Sequence, residues 1–272
     1  MPVPAEKLAQ CDPIWSALRS QAEEIAQNEP ALASFAHGTI LKHGRLEDAL
    51  AYHLATQIGD TDVGPMLARE FFEEAITAEP AIGDAVRADL SAIFDRDPAC
   101  HSYAQAFLFF KGFHALECHR IAHWLWKQNR KTLAYFIQSR VSALFAVDIH
   151  PAARIGRGIF LDHATGIVIG ETAVVEDDVS MLHGVTLGGT GKDTGDRHPK
   201  IRRGVLLSAG AKVLGNIEVG EYSRVAAGSV VLKSVPPHCT VAGVPAKCIG
   251  CTSPERPSQE MDQIVVGTDF QI

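Results

Sequence analysis

The sequence predicts a two-part α+β chain, an all-helical first half followed by a parallel β-helix built from hexapeptide repeats. Three observations carry this reading. Apolar residues fall at helical spacing up to about residue 146, branched aliphatics then recur at every sixth position from Ile149, and that period breaks once in a Gly-rich, charged stretch. The division is residues 1–146 as a helical domain, 147–250 as the β-helix with a protruding loop at about 188–200, and 251–272 as a flexible tail.

The helical half begins at Asp12, a suitable N-cap, with Pro13 at the first helical position and Ile14, Leu18 and Ile25 near one face. A second segment opens at Pro30 and closes on Gly44, where a left-handed C-terminal residue is easily accommodated. Leu46, Leu50, Leu54 and Ile58 follow at steps of four, and further helices run through 65–79 and 82–94, punctuated by Pro65, Pro80 and Pro98. From 99 to 150 there is no proline, and 103–128 and 131–146 read as the longest buried helices, with Trp124 and Trp126 packing the core. His114, His119 and His123 form a partly buried polar stripe rather than a metal face, because no set of cysteines or carboxylates completes a site.

The texture changes after Val147. Every sixth residue reads Ile149, Ile155, Leu161, Ile167, Ala173, Val179 and Val185, then Ile201, Leu207, Val213, Val219, Val225 and Val231. A period of six fits neither a helix nor a half-buried sheet. It fits a triangular coil in which each hexapeptide forms one side, its sixth residue points inward, and stacked aliphatics make a continuous core. Val185 and Ile201 are sixteen positions apart, which is not a multiple of six. The intervening "GGTGKDTGDRHPK" is too rich in glycine and charge to bury itself, so it protrudes as a loop. The last stretch, "TSPERPSQEMDQIVVGTDFQI", has no repeat and reads as a mobile tail.

Composition narrows the function. A formal charge of −7 argues against a broad nucleic-acid interface. Six cysteines are scattered along the chain and are expected to be reduced thiols; Cys248 and Cys251 form one Cys-x-x-Cys without a second pair, a weak signal. The N-terminus lacks an apolar signal core, and no apolar run is long enough to cross a bilayer, so a cytoplasmic location is expected.

Candidate chemistry sits on the coil. In "GIFLDHATG", Asp162 and His163 follow Leu161 on the outward side. Asp148 lies fifteen residues earlier, three short of a full eighteen-residue turn, which places it on the neighbouring coil near the same corner. A carboxylate bonded to an imidazole across coils fixes its tautomer and fits it as a general base near neutral pH. The loop adds Arg197 and His198, a cation and a second imidazole able to hold a carboxylate.

At this point the chain resembles the serine O-acetyltransferases of the hexapeptide-repeat acyltransferase family. The likeness rests on "DIHPAA", "LDHATG", "GETAVV", "VTLGGTG" and "DRHPKI", continues upstream through "RDPA" and "KGFHALECHRIAHWLW", and downstream through "GAKVLGNIEVG", "AAGSVVL" and "VPPHCTVAGVPAK". The resemblance implies a left-handed coil and transfer of the acetyl group of acetyl-CoA, as co-substrate without a tightly bound cofactor, to the hydroxyl of L-serine, the first step of cysteine biosynthesis. Carried over, His163 is the general base and Asp148 the carboxylate that orients it. Asp97, Asp162, Arg197 and His198 hold serine, and Gly184, Ala209, Ala227 and Lys247 meet the coenzyme. No cysteine or serine accompanies His163 in its motif, so transfer is expected to be direct. The resemblance further implies feedback inhibition by L-cysteine and trimers paired into hexamers. It also implies capture of O-acetylserine sulfhydrylase by a C-terminal isoleucine, here Ile272 after "VGTDFQ".

Three other readings share this scaffold: an acetyltransferase for another hydroxyl acceptor, a catalytically silent assembly protein, and a metalloenzyme resembling γ-class carbonic anhydrases. The last would use His150, His163, His183 and His198 as ligands.

Overall fold

The structure is a computed structural model that describes residues 12–191, 194–251 and 255–263. Helix α1 (Pro13–Asn28) starts where Asp12 accepts the Trp15 amide at 3.1 Å. An irregular helical stretch over 30–41 leads to α2 (Leu46–Ile58), α3 (Pro65–Ala78), α4 (Ala81–Arg96), α5 (Tyr103–Phe109), α6 (Lys111–Lys127) and α7 (Lys131–Phe145). Trp124 is buried and Trp126 half-buried against the core, as read from the sequence.

One residue, Ala146 in a left-handed conformation (φ 56°), separates α7 from β1 (Val147–Ile149). The strands that follow form three faces of a prism. One face stacks β1, β4 (Ile167–Ile169), β7 (Thr186–Gly188), β10 (Lys212–Leu214) and β13 (Val230–Val231). The second stacks β2 (Arg154–Ile155), β5 (Val174–Val175), β8 (Lys200–Ile201) and β11 (Glu218–Val219). The third stacks β3 (Phe160–Asp162), β6 (Ser180–Leu182), β9 (Leu206–Leu207), β12 (Arg224–Val225) and β14 (Thr240–Ala242). Neighbours in each face are parallel until β15 (Lys247–Gly250), which turns back antiparallel on β14.

The coil repeats every eighteen residues, as in Val168↔Thr186 and Val213↔Val231, with two lengthenings in the body of the prism. Ile149 pairs with Ile169 and Leu161 with Met181, so the first coil is two residues longer, and the surplus falls between β3 and β4. Val175 pairs with Ile201, eight residues beyond a full coil, and that surplus is the loop between β7 and β8. The six-residue period therefore runs two residues out of register from Ile167 to Val185 and is back in register at Ile201. It stays on buried residues because side chains two positions apart are both buried: Ile167 and Ile169, like Val185 and Leu187, are at most 1% exposed.

Ion pairs dock the helices on the prism. Arg120 of α6, its side chain 8% exposed, reaches Asp89 of α4 through Nε at 3.1 Å and donates to the Gly156 carbonyl at 2.8 Å. The other Asp89 oxygen accepts the Ile159 amide at 2.7 Å. Two sequence expectations are corrected beyond the prism. Part of the supposedly mobile tail is docked: α8 (Pro257–Glu260) buries Ser258, whose carbonyl accepts from Ser180 at 2.7 Å, and Arg224 holds the Asp262 carbonyl at 2.8 Å. Not all thiols are free either, since Cys239 and Cys251, brought together by the β14–β15 hairpin, form a disulfide.

Candidate active site

The two surplus residues between β3 and β4 push out a corner. His163 (φ 54°) and Ala164 (φ 57°) both take the left-handed conformation that non-glycine residues rarely adopt. The Ala164 side chain is buried, whereas 77% of the His163 side chain is exposed. A motif "LDHATG" thus trades local strain for an imidazole held away from the prism wall. Asp162 Oδ1 lies 3.8 Å from His163 Nε2. Burial pushes the Asp162 carboxyl above its ordinary value; the charges of His163 and His183 pull it back and that of Asp97 raises it further. Asp97 follows the last turn of α4, with its side chain held by the Ala99 amide at 2.8 Å. The expected Asp97, Asp162 and His163 therefore gather at one edge of the first face. His183 joins them, its ring 6.0 Å from that of His163.

Asp148 does not join them. It stands on β1 opposite Val168, and its carboxylate accepts from Gln138 Nε2 at 2.6 Å. The expectation that Asp148 and His163 meet at one corner of a single chain is corrected, because the two-residue surplus carries His163 to the corner before β4 while Asp148 sits beyond it.

Arg197 and His198 lie at the opposite edge of the same face. Thr172, in the turn after β4, donates its amide to His198 Nδ1 at 3.2 Å, and its hydroxyl lies 2.9 Å from the same nitrogen. Nδ1 is thus an acceptor, which leaves the proton of the neutral ring on Nε2. Burial, then the Arg197 charge, lowers the His198 pKa, so this neutral donor form is favoured. Arg197 donates to Glu171 Oε2 at 2.7 Å. His150, itself depressed mainly by burial, feels the charges of Glu171, Asp148 and Arg197, so these groups form a second cluster. β4 separates the two clusters within one chain.

The coenzyme candidates fall on the His163 edge. Gly166, Gly184, Gly210 and Gly228 stack there coil upon coil, all left-handed (φ 67–78°). The Gly184 amide donates to the Thr165 carbonyl, Gly210 to His183 and Gly228 to Ala209. The residue before each glycine therefore lines the same rim, and Ala209 and Ala227 keep amides unused by any intramolecular bond among the described residues. Lys247, exposed on β15 opposite Ala242, stands near the far end of that rim. With no Cβ on the glycine ladder, an extended ligand can approach the backbone closely.

The sequence gives no role in catalysis to Glu171 or Thr172, and to His183 only in the carbonic-anhydrase reading. Thr172 and Glu171 lie in the quoted "GETAVV", and His183 precedes a ladder glycine as Thr165 does, so register was the missing signal. Among the described residues, no imidazole or carboxylate set lies close enough to hold a metal ion, and the four histidines of the carbonic-anhydrase reading divide between the two edges. No helix of the described residues is long and apolar enough to cross a membrane.

Comparison with known proteins assigns this arrangement to a class. A family model described as "Serine acetyltransferase, N-terminal" matches residues 14–118. The serine acetyltransferase of Salmonella typhimurium is 54% identical over 261 residues, covering 96% of this chain and 94% of that protein. The crystal structure of the Brucella abortus enzyme in complex with coenzyme A superposes with a TM-score of 0.88 at 57% identity, covering 89% of this chain and 97% of that one. A serine acetyltransferase in complex with cysteine gives 0.92 at 52% identity, covering 93% and 98%. The prism with its helical partner is thus that of an acyl-transferring enzyme. The chain belongs to the serine acetyltransferases.

Proposed function

We propose that the residues gathered at the two edges carry out acetyl transfer from acetyl-CoA to the L-serine hydroxyl, with His163 as general base. The observation that carries the assignment is the corner itself: one exposed imidazole on a strained insertion, above a glycine ladder flanked by the unused amides of Ala209 and Ala227. The serine hydroxyl loses its proton to His163 as its oxygen attacks the thioester carbonyl. The unused amides of Ala209 and Ala227, the backbone at Gly184 and the Lys247 ammonium position the coenzyme, and donors at this edge stabilise the oxyanion. Collapse expels the CoA thiolate, to which His163 returns the proton. Asp97 and Asp162 take the serine ammonium group.

The remaining pocket residues, Arg197, His198 and the orienting Asp148, come from a second copy of the chain in this reading. A ring of copies sets the His163 edge of one face against the opposite edge of the next, which supports a homotrimer and pairs of trimers. The cysteine complex of the similar enzyme supports inhibition by L-cysteine at the serine site. A cytoplasmic site of action, with the tail from 264 to Ile272 recruiting the sulfhydrylase, completes the proposal; those last residues lie outside the described ones.

One assay tests the assignment. Thiol release from acetyl-CoA is followed with L-serine, L-homoserine and galactosides as acceptors. Preference for L-serine supports it, and turnover only with another acceptor overturns it. Deleting the last ten residues should abolish the sulfhydrylase complex and spare catalysis; an unaffected complex would remove that partner.

A further inference from the structure

Three of the six cysteines converge on the last rung of the prism, away from the His163 corner. Cys239 immediately precedes β14, Cys248 lies within β15 and Cys251 immediately follows it. The antiparallel pairing of these strands, with a register shift between Thr240 and Val241, folds all three onto one spot. Their sulfurs lie within 4.8 Å of one another, with 3.4 Å between those of Cys248 and Cys251. Cys239 is 1% exposed, whereas Cys248 and Cys251 face solvent.

This arrangement is more than a disulfide needs. A disulfide uses two sulfurs and leaves the exposed Cys248 thiol packed against it without a structural task. Once the Cys239–Cys251 bond is reduced, three sulfurs gathered within 4.8 Å are close enough to reach the spacing of a metal–thiolate set. Zinc–sulfur bonds of about 2.3 Å in a tetrahedron put the sulfurs about 3.8 Å apart. Two of the three come from one Cys-x-x-Cys segment, a spacing that structural zinc sites share, here running along β15 to the residue after it. Among the described residues no carboxylate or imidazole completes the group, so the donors are all soft, and soft thiolates select zinc-like ions over magnesium or calcium.

We propose that the reduced chain binds one zinc-class divalent ion through Cys239, Cys248 and Cys251, with water in the fourth position. Binding releases the thiol protons and leaves three metal–thiolate bonds. The Cys239–Cys251 disulfide is the oxidised form of the same site. A small-molecule disulfide accepts the two electrons: one cysteine thiolate attacks it and expels a thiolate, and the second cysteine displaces the other half. The protein S–S bond forms, two small thiols leave, and the ion departs with its charge unchanged. The ion clamps the β14–β15 hairpin at the root of the segment leading to α8, a structural role distinct from acetyl transfer.

The test uses the full chain, reduced with a phosphine, desalted without oxygen and titrated with cobalt(II) chloride. The expected result is thiolate-to-cobalt absorption that saturates at one ion per chain and is bleached by zinc. Cys248→Ser, at an exposed position, should weaken binding at least about tenfold, the scale on which even outer-shell groups tune metal affinity. Cys100→Ser should leave the absorption intact. X-ray absorption on the zinc-loaded wild type should count three sulfurs at about 2.3 Å. Absence of the band, unchanged binding in Cys248→Ser, or fewer than three sulfurs would each overturn the proposal.

Discussion

His163 owes its reach to a backbone that most residues avoid, and because 77% of its side chain is solvent-exposed it contributes little to packing. Removing the imidazole therefore separates catalysis from folding. His163→Ala should lower turnover roughly 10²–10⁴-fold, the usual loss for a general base, with an unchanged thermal midpoint. Turnover and circular-dichroism melts on the same preparation check it; a near-wild-type rate would remove His163 from the mechanism. Gly170 sits at the other edge, where a Cβ would overlap the His198 ring. Gly170→Ala should displace that ring without deleting it. Because about 1 Å of misplacement can cost roughly 10²-fold, its serine kcat/KM should fall as far as that of His198→Ala. Full retention of kcat/KM in Gly170→Ala would mean that the position of His198 is unimportant.

At the scale of elements, the contact between helices and prism depends on three ionisable groups that have left water. Arg120 is matched by Asp89, while Glu117 lies 3.3 Å from Arg120 Nε and neither of its oxygens makes a hydrogen bond of good geometry. Burial, with Asp89 adding to it and Arg120 opposing it, pushes the Glu117 carboxyl well above its ordinary 4.5. The folded chain thus keeps a proton that the unfolded chain releases, so this group's contribution falls as pH rises from about 4.5 towards the raised value. Glu117→Gln should flatten that slope in urea melts across the range; an unchanged slope would assign it elsewhere. Asp89→Ala should cost about 3–5 kcal/mol, because it removes the ionised partner of the Arg120 side chain and leaves beside it Glu117, which holds its proton.

The same scale shows what the sequence made legible. The aliphatic rungs were plain, since every sixth residue carries enough apolar area to announce itself. The two-residue surplus at His163 was hidden, because Ile167 and Ile169 are both buried and either satisfies the period. That concealment produced the mistaken single-chain contact between Asp148 and His163. The docking of Ser258 was illegible for a different reason: it rests on polar partners in Arg96 and Ser180, distant in sequence and without any periodic sign.

At the scale of the molecule, one chain carries each half of the proposed pocket on opposite edges of one face, and β4 lies between them. A closed ring of copies solves this by giving each interface one edge from each neighbour. Mixing two crippled variants exposes the difference between an intrachain and a shared pocket. His163→Ala spoils one edge and His198→Ala the other. If each pocket lay within one chain, every chain in a mixture would still carry a lesion, and activity would stay at the level of the single variants. If pockets are shared, random assembly of equal amounts gives an intact left edge beside an intact right edge at about one interface in four, whatever the ring size. Unfolding the two variants together and refolding them should therefore restore about a quarter of the wild-type rate, while each refolded alone stays inactive. A mixture no more active than its components would place the whole pocket in a single chain, and with it a rearrangement of β4 that brings Arg197 and His198 to His163.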